Sequence, residues 1–200
     1  PIPGFAQQLA ETRRSLAHAR QLADTLAQQP LQPRSAQDFR DVVQAMFAVV
    51  DTAQGLVDEA ISDFNTAESD HLVGTALIVR MLSDIREQVG RMGSNIITSI
   101  AARVPITPEQ RTAHDIAYGR VLGFWQLVEQ QSGENTDPQI AAMRRAVNED
   151  FFGRGMAIYR DILATGRDGN YGFDTTSFTN QIVPTFASLE RLRDIYLDAA

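Results

Sequence analysis

The chain has 200 residues, 25 acidic and 18 basic side chains, and a formal net charge of −7. This acidic balance argues against nucleic-acid binding, which usually requires a basic face. The chain has no cysteine and no lysine, so disulfides, thiolate metal sites, thiol nucleophiles, Schiff-base chemistry and a P-loop lysine are excluded. No apolar run approaches the roughly 20 residues that cross a bilayer.

The first two predicted helices share one apolar spacing. A stripe runs from Phe5 to Leu26, and a second from Phe39 to Phe64, in alternating steps of four and three residues. This period is typical of helices that pack side by side in bundles or coiled coils. The segment Pro30 to Pro33 ends the first helix, and Ser35 with Asp38 predicts a capping box at the start of the second.

Two further helices follow a polar stretch from Asn65 to Asp70, which either turns or kinks the chain. The third predicted helix runs from about His71 to Arg103 and is stopped by Pro105. A fourth begins at Thr107 to Gln110, a segment that offers a threonine N-cap, a proline at the first helical position and a glutamine at the third.

The last two predicted helices are separated by a glycine-rich loop from Gly166 to Gly172. Pro138 opens the fifth helix. Thr175 or Thr176 is the expected N-cap of the sixth, and Pro184 is expected to kink it. The sequence therefore predicts an all-α antiparallel helical bundle of about six helices, as one domain over residues 1–200, with two stacked four-helix modules as the alternative arrangement. Because neither terminal helix shows a stop signal, we expect the domain to be excised from a longer membrane receptor.

Motifs for metal binding or catalysis are absent from the sequence. His18, His71 and His114 lie far apart, and no His-x-x-x-His, Glu-x-x-His, calcium-loop or Gly-x-Ser-x-Gly motif occurs. We therefore expect no metal, no cofactor, no catalytic residue and no enzymatic activity. A helical enzyme that acts on an anionic substrate, such as a lyase, is the weakest of the alternatives.

An arginine-rich face of the third helix is the first candidate site. The charged residues opposite its apolar stripe are Arg80, Asp84, Glu87 and Arg91. Ion pairs on a solvated face would explain this pattern. Alternatively, Arg86 or Arg91 points into a cleft and binds an anion, because a guanidinium grips a carboxylate at two points and stays charged at any working pH. Gly90 and Gly93 would either admit a neighbouring helix or leave room for a ligand.

An aromatic cluster is the second candidate site. Phe152 and Arg154 lie off the core stripe of the fifth helix, beside two glycines that indicate a crowded helix crossing, and Trp125 is the sole tryptophan. Core packing would explain these residues. Alternatively, Trp125 and Phe152 form apolar walls over a small ligand, with Arg154 as a charge clamp. Tyr171 and Phe173 in the glycine-rich loop either cover such a pocket or, as we favour, anchor the loop.

Several stretches of the chain carry a resemblance to a known group of proteins. They are Arg86 to Ser94, Pro105 to Gln110, Asp150 to Gly155, Tyr171 in the loop before the closing helix, and Pro184 with Leu192, Arg193 and Asp194 in that helix. From Arg80 onward the sequence resembles the all-helical extracytoplasmic sensor domains of bacterial chemoreceptors, sensor kinases and diguanylate cyclases. The first 70 residues match only as a generic bundle.

The resemblance implies a periplasmic domain flanked by two transmembrane helices that are absent here, and a homodimer in the full receptor. In that group, ligands bind between helices or at a dimer interface, often through arginine. We therefore predict a sensing domain in which a small anionic ligand, such as a carboxylate, favours one helix arrangement, so that helix displacements reach the membrane.

The predicted ligand-binding residues are Arg86, Arg91 and Arg154 as charge clamps, and Trp125 and Phe152 as apolar walls. The main alternative is a helical protein-interaction or dimerisation module with no small-molecule ligand. Under either interpretation we expect no nucleic-acid partner, and contact with the membrane only through the flanking segments.

Overall fold

The computed structural model describes residues 4–30, 35–64, 70–133, 135 and 137–198, and every regular element in these ranges is helical. The predicted all-α bundle of about six helices is confirmed, because the described residues form six continuous helices, two of which contain a short non-α segment. The chain divides into two compact units, Pro1–Ser69 (the first unit) and Asp70–Ala200 (the second unit). Whether they act as one domain stays a prediction.

The first unit is a pair of packed helices, α1 (Phe5–Gln28) and α2 (Ala36–Phe64). The predicted capping box at the start of α2 is present. The backbone N–H and the hydroxyl of Ser35 donate to Asp38 Oδ2 at 2.7 and 2.9 Å, and the Asp38 N–H donates to Ser35 Oγ at 3.2 Å. The predicted breaks between the helices and after α2 fall on residues 31–34 and 65–69, outside the described residues.

The second unit contains four helices. The first two are α3 (Asp70–Ala102) and α4 (Pro108–Ser132). The third consists of α5 (Pro138–Val147), a π-helical segment (Asn148–Gly155) and α6 (Met156–Thr165). The fourth consists of α7 (Thr175–Ile182), a 3₁₀ segment (Val183–Phe186) and α8 (Ala187–Asp198). The described residues of one chain thus form one four-helix unit and one two-helix unit, and the alternative of two stacked four-helix modules stays a prediction.

All four helices of the second unit contribute to its core. The apolar side chains with no exposed surface are Ile85, Val89, Met92, Ile96, Val121, Val128, Val147, Phe151, Tyr159, Ile162 and Leu192. The α3 members of this set recur at intervals of three and four residues, as the sequence predicts for the apolar stripe of this helix. Fully burying one such side chain contributes about 1.5–3 kcal/mol, so this core, rather than helix propensity, stabilises the unit.

The start of α4 is bonded both within its own first turn and to α3. Thr107 Oγ1 accepts from the Gln110 N–H at 3.2 Å, and Gln110 Oε1 accepts from the Thr107 N–H at 2.9 Å, which confirms the predicted capping box. The Gln110 amide also donates to Asn95 O and Thr98 Oγ1, at 2.9 and 3.0 Å. One predicted cap is wrong: Asp174, not Thr175 or Thr176, caps α7.

The physical reason is the strength of the acceptor at Asp174. Its carboxylate accepts from the Ser177 N–H at 2.8 Å, and an ionised oxygen at a helix N-terminus is a stronger acceptor than a hydroxyl. This backbone hydrogen bond lowers the pKa of Asp174. The two threonines instead lie in the first turn of the helix.

Hydrogen bonds join two loops at one end of the second unit, the loop after α3 and the loop before α7. Tyr171 is buried, its hydroxyl donates to Val104 O at 2.8 Å, and its carbonyl accepts from Arg103 Nη1 at 2.9 Å. Gly169 has a φ of 73°, and a Cβ there would lie 2.9 Å from Arg103 O, so the tight approach requires glycine. Tyr171 therefore anchors its loop, as the favoured interpretation of the sequence predicts.

Candidate functional site

Three of the five predicted site residues lie along one array of ring contacts in the second unit. The ring centroids of Trp125 and Phe152 are 5.7 Å apart. Phe152 contacts Phe151 at 5.0 Å, and Phe151 contacts Phe186 at 6.1 Å. The guanidinium carbon of Arg86 lies 5.2 Å from the centroid of Phe186. The array therefore crosses from α4 through the π and 3₁₀ segments to α3.

Arg86 is already engaged by a carboxylate. Its Nε donates to Glu190 Oε1 on α8 at 2.8 Å, and the side chains are 37% and 45% exposed. Gly90 lies beside the guanidinium, because a Cβ at this glycine would be 3.3 Å from Arg86 Nη1. An anion at Arg86 would have to displace Glu190, so the role of Arg86 as a charge clamp stays a prediction.

The other two predicted arginines form ion pairs within their own helices. Arg91 Nε donates to Glu87 Oε1 at 2.7 Å, and Arg154, which is exposed, pairs with Asp150. Pairs of this i,i+4 type are what the charged-face interpretation predicts, and each contributes a few tenths of a kcal/mol. The structure thus gives each of the three predicted arginines its own carboxylate, and their roles as clamps likewise stay predictions.

Trp125 fixes the beginning of the π segment. Its indole Nε1 donates to Asn148 Oδ1 at 3.2 Å, and the amide of Asn148 donates to Glu129 Oε1 and to Arg144 O, each at 3.2 Å. Asn148 is the first residue of the π segment and therefore connects this segment to α4. Asn148 could not be predicted from the sequence, because a single asparagine in a helical pattern gives no signal of its tertiary partner.

The predicted crowded crossing is found at Gly155. A Cβ on Gly155 would lie 2.9 Å from Thr185 Oγ1 and 3.2 Å from the Phe151 ring, whereas a Cβ on Gly153 would meet only Asn148 O, at 3.4 Å. Thr185 belongs to the 3₁₀ segment. The wide π turn of one helix thus packs on the tight 3₁₀ turn of its neighbour. We call this the Gly155–Thr185 contact.

A buried polar pair lies beside a second glycine contact. A Cβ on Gly93 would be 3.3 Å from the hydroxyl of Tyr159, which donates to Val89 O at 3.3 Å. His114 packs on Tyr159 with ring centroids 5.2 Å apart. Its side chain is 2% exposed, its Nδ1 lies 3.2 Å from Asp115 Oδ1, and its Nε2 has no hydrogen-bond partner among the described residues.

Burial sets the protonation of both groups. It raises the pKa of Tyr159, so the phenol stays neutral. It also lowers the pKa of His114 below its ordinary 6.5, and the opposing effect of Asp115 is smaller. Since both rings are neutral at pH 7, they form a neutral polar core rather than a charged site.

A groove of about 350 Å³ opens between α5 and α8. Its lining residues are Gln139, Ala142 and Met143 of α5, and Arg191, Asp194, Ile195 and Asp198 of α8. None of the five predicted site residues lines it. The groove could not be predicted from the sequence, because its two walls lie about fifty residues apart in the chain and neither matches a motif.

Within the described ranges, no group of His, Asp or Glu side chains is arranged to hold a metal ion, and no helix is both long and apolar enough to span a bilayer. Searches against protein families, curated proteins and solved structures find no match. The resemblance to sensor domains therefore stays a prediction.

The buried imidazole predicts a pH-dependent stability. Because the pKa of His114 is lower in the folded than in the unfolded protein, the unfolded state takes up the extra proton as the pH falls through 6.5. The free energy of unfolding should therefore be constant near pH 7.5 and decrease towards pH 5. Urea titrations at several pH values measure this. His114→Phe should flatten the profile, and His18→Gln, at an exposed position, should leave it unchanged. Identical profiles for all three proteins would contradict the assignment.

The Gly155–Thr185 contact predicts a large difference between two neighbouring glycines. Gly155→Ala should lower the free energy of unfolding by about 1–3 kcal/mol, because the added methyl group overpacks the crossing. Gly153→Ala is the matched control and should be neutral or stabilise by up to about 1 kcal/mol. The double variant Gly155→Ala/Thr185→Ala should regain part of the loss. Equal effects of the two glycine substitutions in urea unfolding would contradict the prediction.

Proposed function

We propose that the chain is the extracytoplasmic, periplasmic ligand-sensing domain of a bacterial transmembrane signalling receptor. In this proposal a small ligand binds between helices of the second unit and changes their arrangement. The observation that supports it best is the Gly155–Thr185 contact, which joins the non-α segments of two adjacent helices. The sequence resemblance from Arg80 onward supports it independently.

We propose that the π segment is the element that changes its geometry. A π turn holds one more residue than an α turn, and such turns occur frequently at functional sites. Its conversion to α geometry would rotate the rest of the helix by about 100°, the angle of one α-helical residue. Because Gly155 packs on Thr185, neither segment can change its geometry without moving the other. A ligand that favours one geometry would therefore shift both helices together.

The position of α8 suits transmission to a membrane. The loops that contain Val104 and Tyr171 are joined at one end of the second unit. At the other end, the hydroxyl of Tyr196 near the end of α8 donates to Ser132 Oγ at 2.8 Å. In a receptor of the proposed kind, a displacement at the 3₁₀ segment would be carried along α8 to this second end.

The interaction module remains the second candidate, and one surface favours it. On α4, the exposed side chains of Ile116 and Leu127 lie on the same face as Gly119 and Gly123, at which an added Cβ would contact nothing. Such a face suits a second helix. Sedimentation velocity and a ligand screen together separate the candidates: an assembly that Ile116→Glu dissociates, combined with no ligand-dependent change in melting temperature, would favour the interaction module.

A ligand screen tests the proposed function. The melting temperature of the chain is measured with small carboxylates, amino acids, inorganic anions and amines. A compound at 100 times its Kd should add about 2.7 kcal/mol of stability, which raises the melting temperature by about 5–10 °C for a protein of this size. Gly155→Ala should change the apparent affinity, and Gly153→Ala should not. The absence of any shift across the panel would contradict the proposal.

A further inference from the structure

We infer that the groove between α5 and α8 is a binding site for a small amino-carboxylate, a molecule with a carboxylate and an ammonium group separated by an apolar segment. This inference rests on the proposed function and specifies the ligand class. It also moves the site away from the arginines that the sequence predicts, since none of them lines the groove.

The size and lining of the groove suit a small organic molecule. Its volume of about 350 Å³ lies at the lower end of the range for ligand pockets, which runs from roughly 300 to 1,000 Å³. The apolar residues that line the groove are Ala142, Met143 and Ile195. Met143 and Ile195 are half-buried and pack against the core of the second unit, so a ligand here would contact side chains that are part of the fold. The flexible Met143 can adapt to ligands of different width.

The carboxylate of the ligand would bind Arg191. This side chain lies at the groove and makes no ion pair or hydrogen bond among the described residues. In contrast, the predicted clamps Arg86 and Arg154 are each paired with a carboxylate of the protein. The planar guanidinium of Arg191 can donate two parallel hydrogen bonds to a carboxylate.

The ammonium group would bind Asp198. Asp194 lies three residues after Arg191, and Asp198 lies four residues after Asp194. The two aspartates therefore lie on the same side of α8 as Arg191, and both line the groove. Asp194 already accepts from Arg193 Nη2 at 2.8 Å, whereas Asp198 has no ion pair among the described residues. A purely anionic ligand would face Asp198, and a purely cationic one would face Arg191. A ligand that carries both charges pairs with each.

Occupancy of this groove would act directly on the Gly155–Thr185 contact. One wall is α5, which leads into the π segment, and the other is α8, which follows the 3₁₀ segment. A ligand that holds α5 and α8 at one separation therefore favours one arrangement of the two segments between them.

The experiment is a titration of the ¹⁵N-labelled chain, followed by amide chemical shifts. The probes are 4-aminobutyrate and 5-aminopentanoate, and the matched controls are butyrate and butylamine, each of which lacks one charge. At least one amino-carboxylate should shift amides of α5 and α8 around the groove. The controls should bind at least about tenfold more weakly, because each loses one charge-assisted contact.

Two groove variants and one control variant complete the test. Arg191→Ala and Asp198→Asn should each weaken binding at least about tenfold, with melting temperatures that show an intact fold. Arg145→Ala, at an exposed position of α5 outside the groove, should bind as the unchanged chain does.

The groove would be excluded as the binding site if Arg191→Ala left binding intact, or if the amide chemical-shift changes centred on Arg86 and Trp125. Either result would leave the proposed ligand sensing in place. No shift with either amino-carboxylate would also overturn the groove. The wider thermal screen decides separately whether the chain senses another ligand.

Discussion

The packing of Gly155 on Thr185 is the constraint on which the arrangement of the second unit depends. It brings a π turn and a 3₁₀ turn together in the middle of two neighbouring helices. The π turn is wider than an α turn and the 3₁₀ turn is tighter. Packing between the two helices maintains both geometries. Ring contacts extend from this point through Phe151 and Phe186 to Arg86, whose pairing with Glu190 joins α3 to α8. A change at the crossing would therefore displace side chains on three helices: α3, the helix that contains the π segment, and the helix that contains the 3₁₀ segment.

The parts of the fold that the sequence could predict are those that depend on neighbouring residues. The apolar stripes, the capping box of Thr107 and Gln110, and the proline breaks each depend on residues close together in the chain, so the helices and the buried face of α3 follow from them. Asp174 was missed as a cap because three adjacent residues can all fill that role. The π segment was missed because its residues fit an α-helical period over one or two turns, and only contacts with Trp125 and Thr185 distinguish it.

The candidate site was less predictable, for a related reason. The positions of arginines can be read from a sequence, but the carboxylates with which they pair in the folded chain cannot. Arg86 pairs with a glutamate 104 positions away in the chain. The rings of Trp125 and Phe152 contact each other in the aromatic array, and their role as apolar walls over a ligand stays a prediction. The groove between α5 and α8 combines unremarkable residues from two distant segments, and its chemistry emerges only when Arg191 is seen without a carboxylate partner among the described residues.

The most direct test of the account is the distance between α5 and α8 in solution. Because the chain has no cysteine, Arg145→Cys and Leu197→Cys, both at exposed positions, allow one spin label on each helix without further changes. Pulsed electron paramagnetic resonance then gives the distance distribution. The account predicts two populations whose ratio changes in Gly155→Ala and with any compound that raises the melting temperature. A single distribution that neither change alters would contradict it.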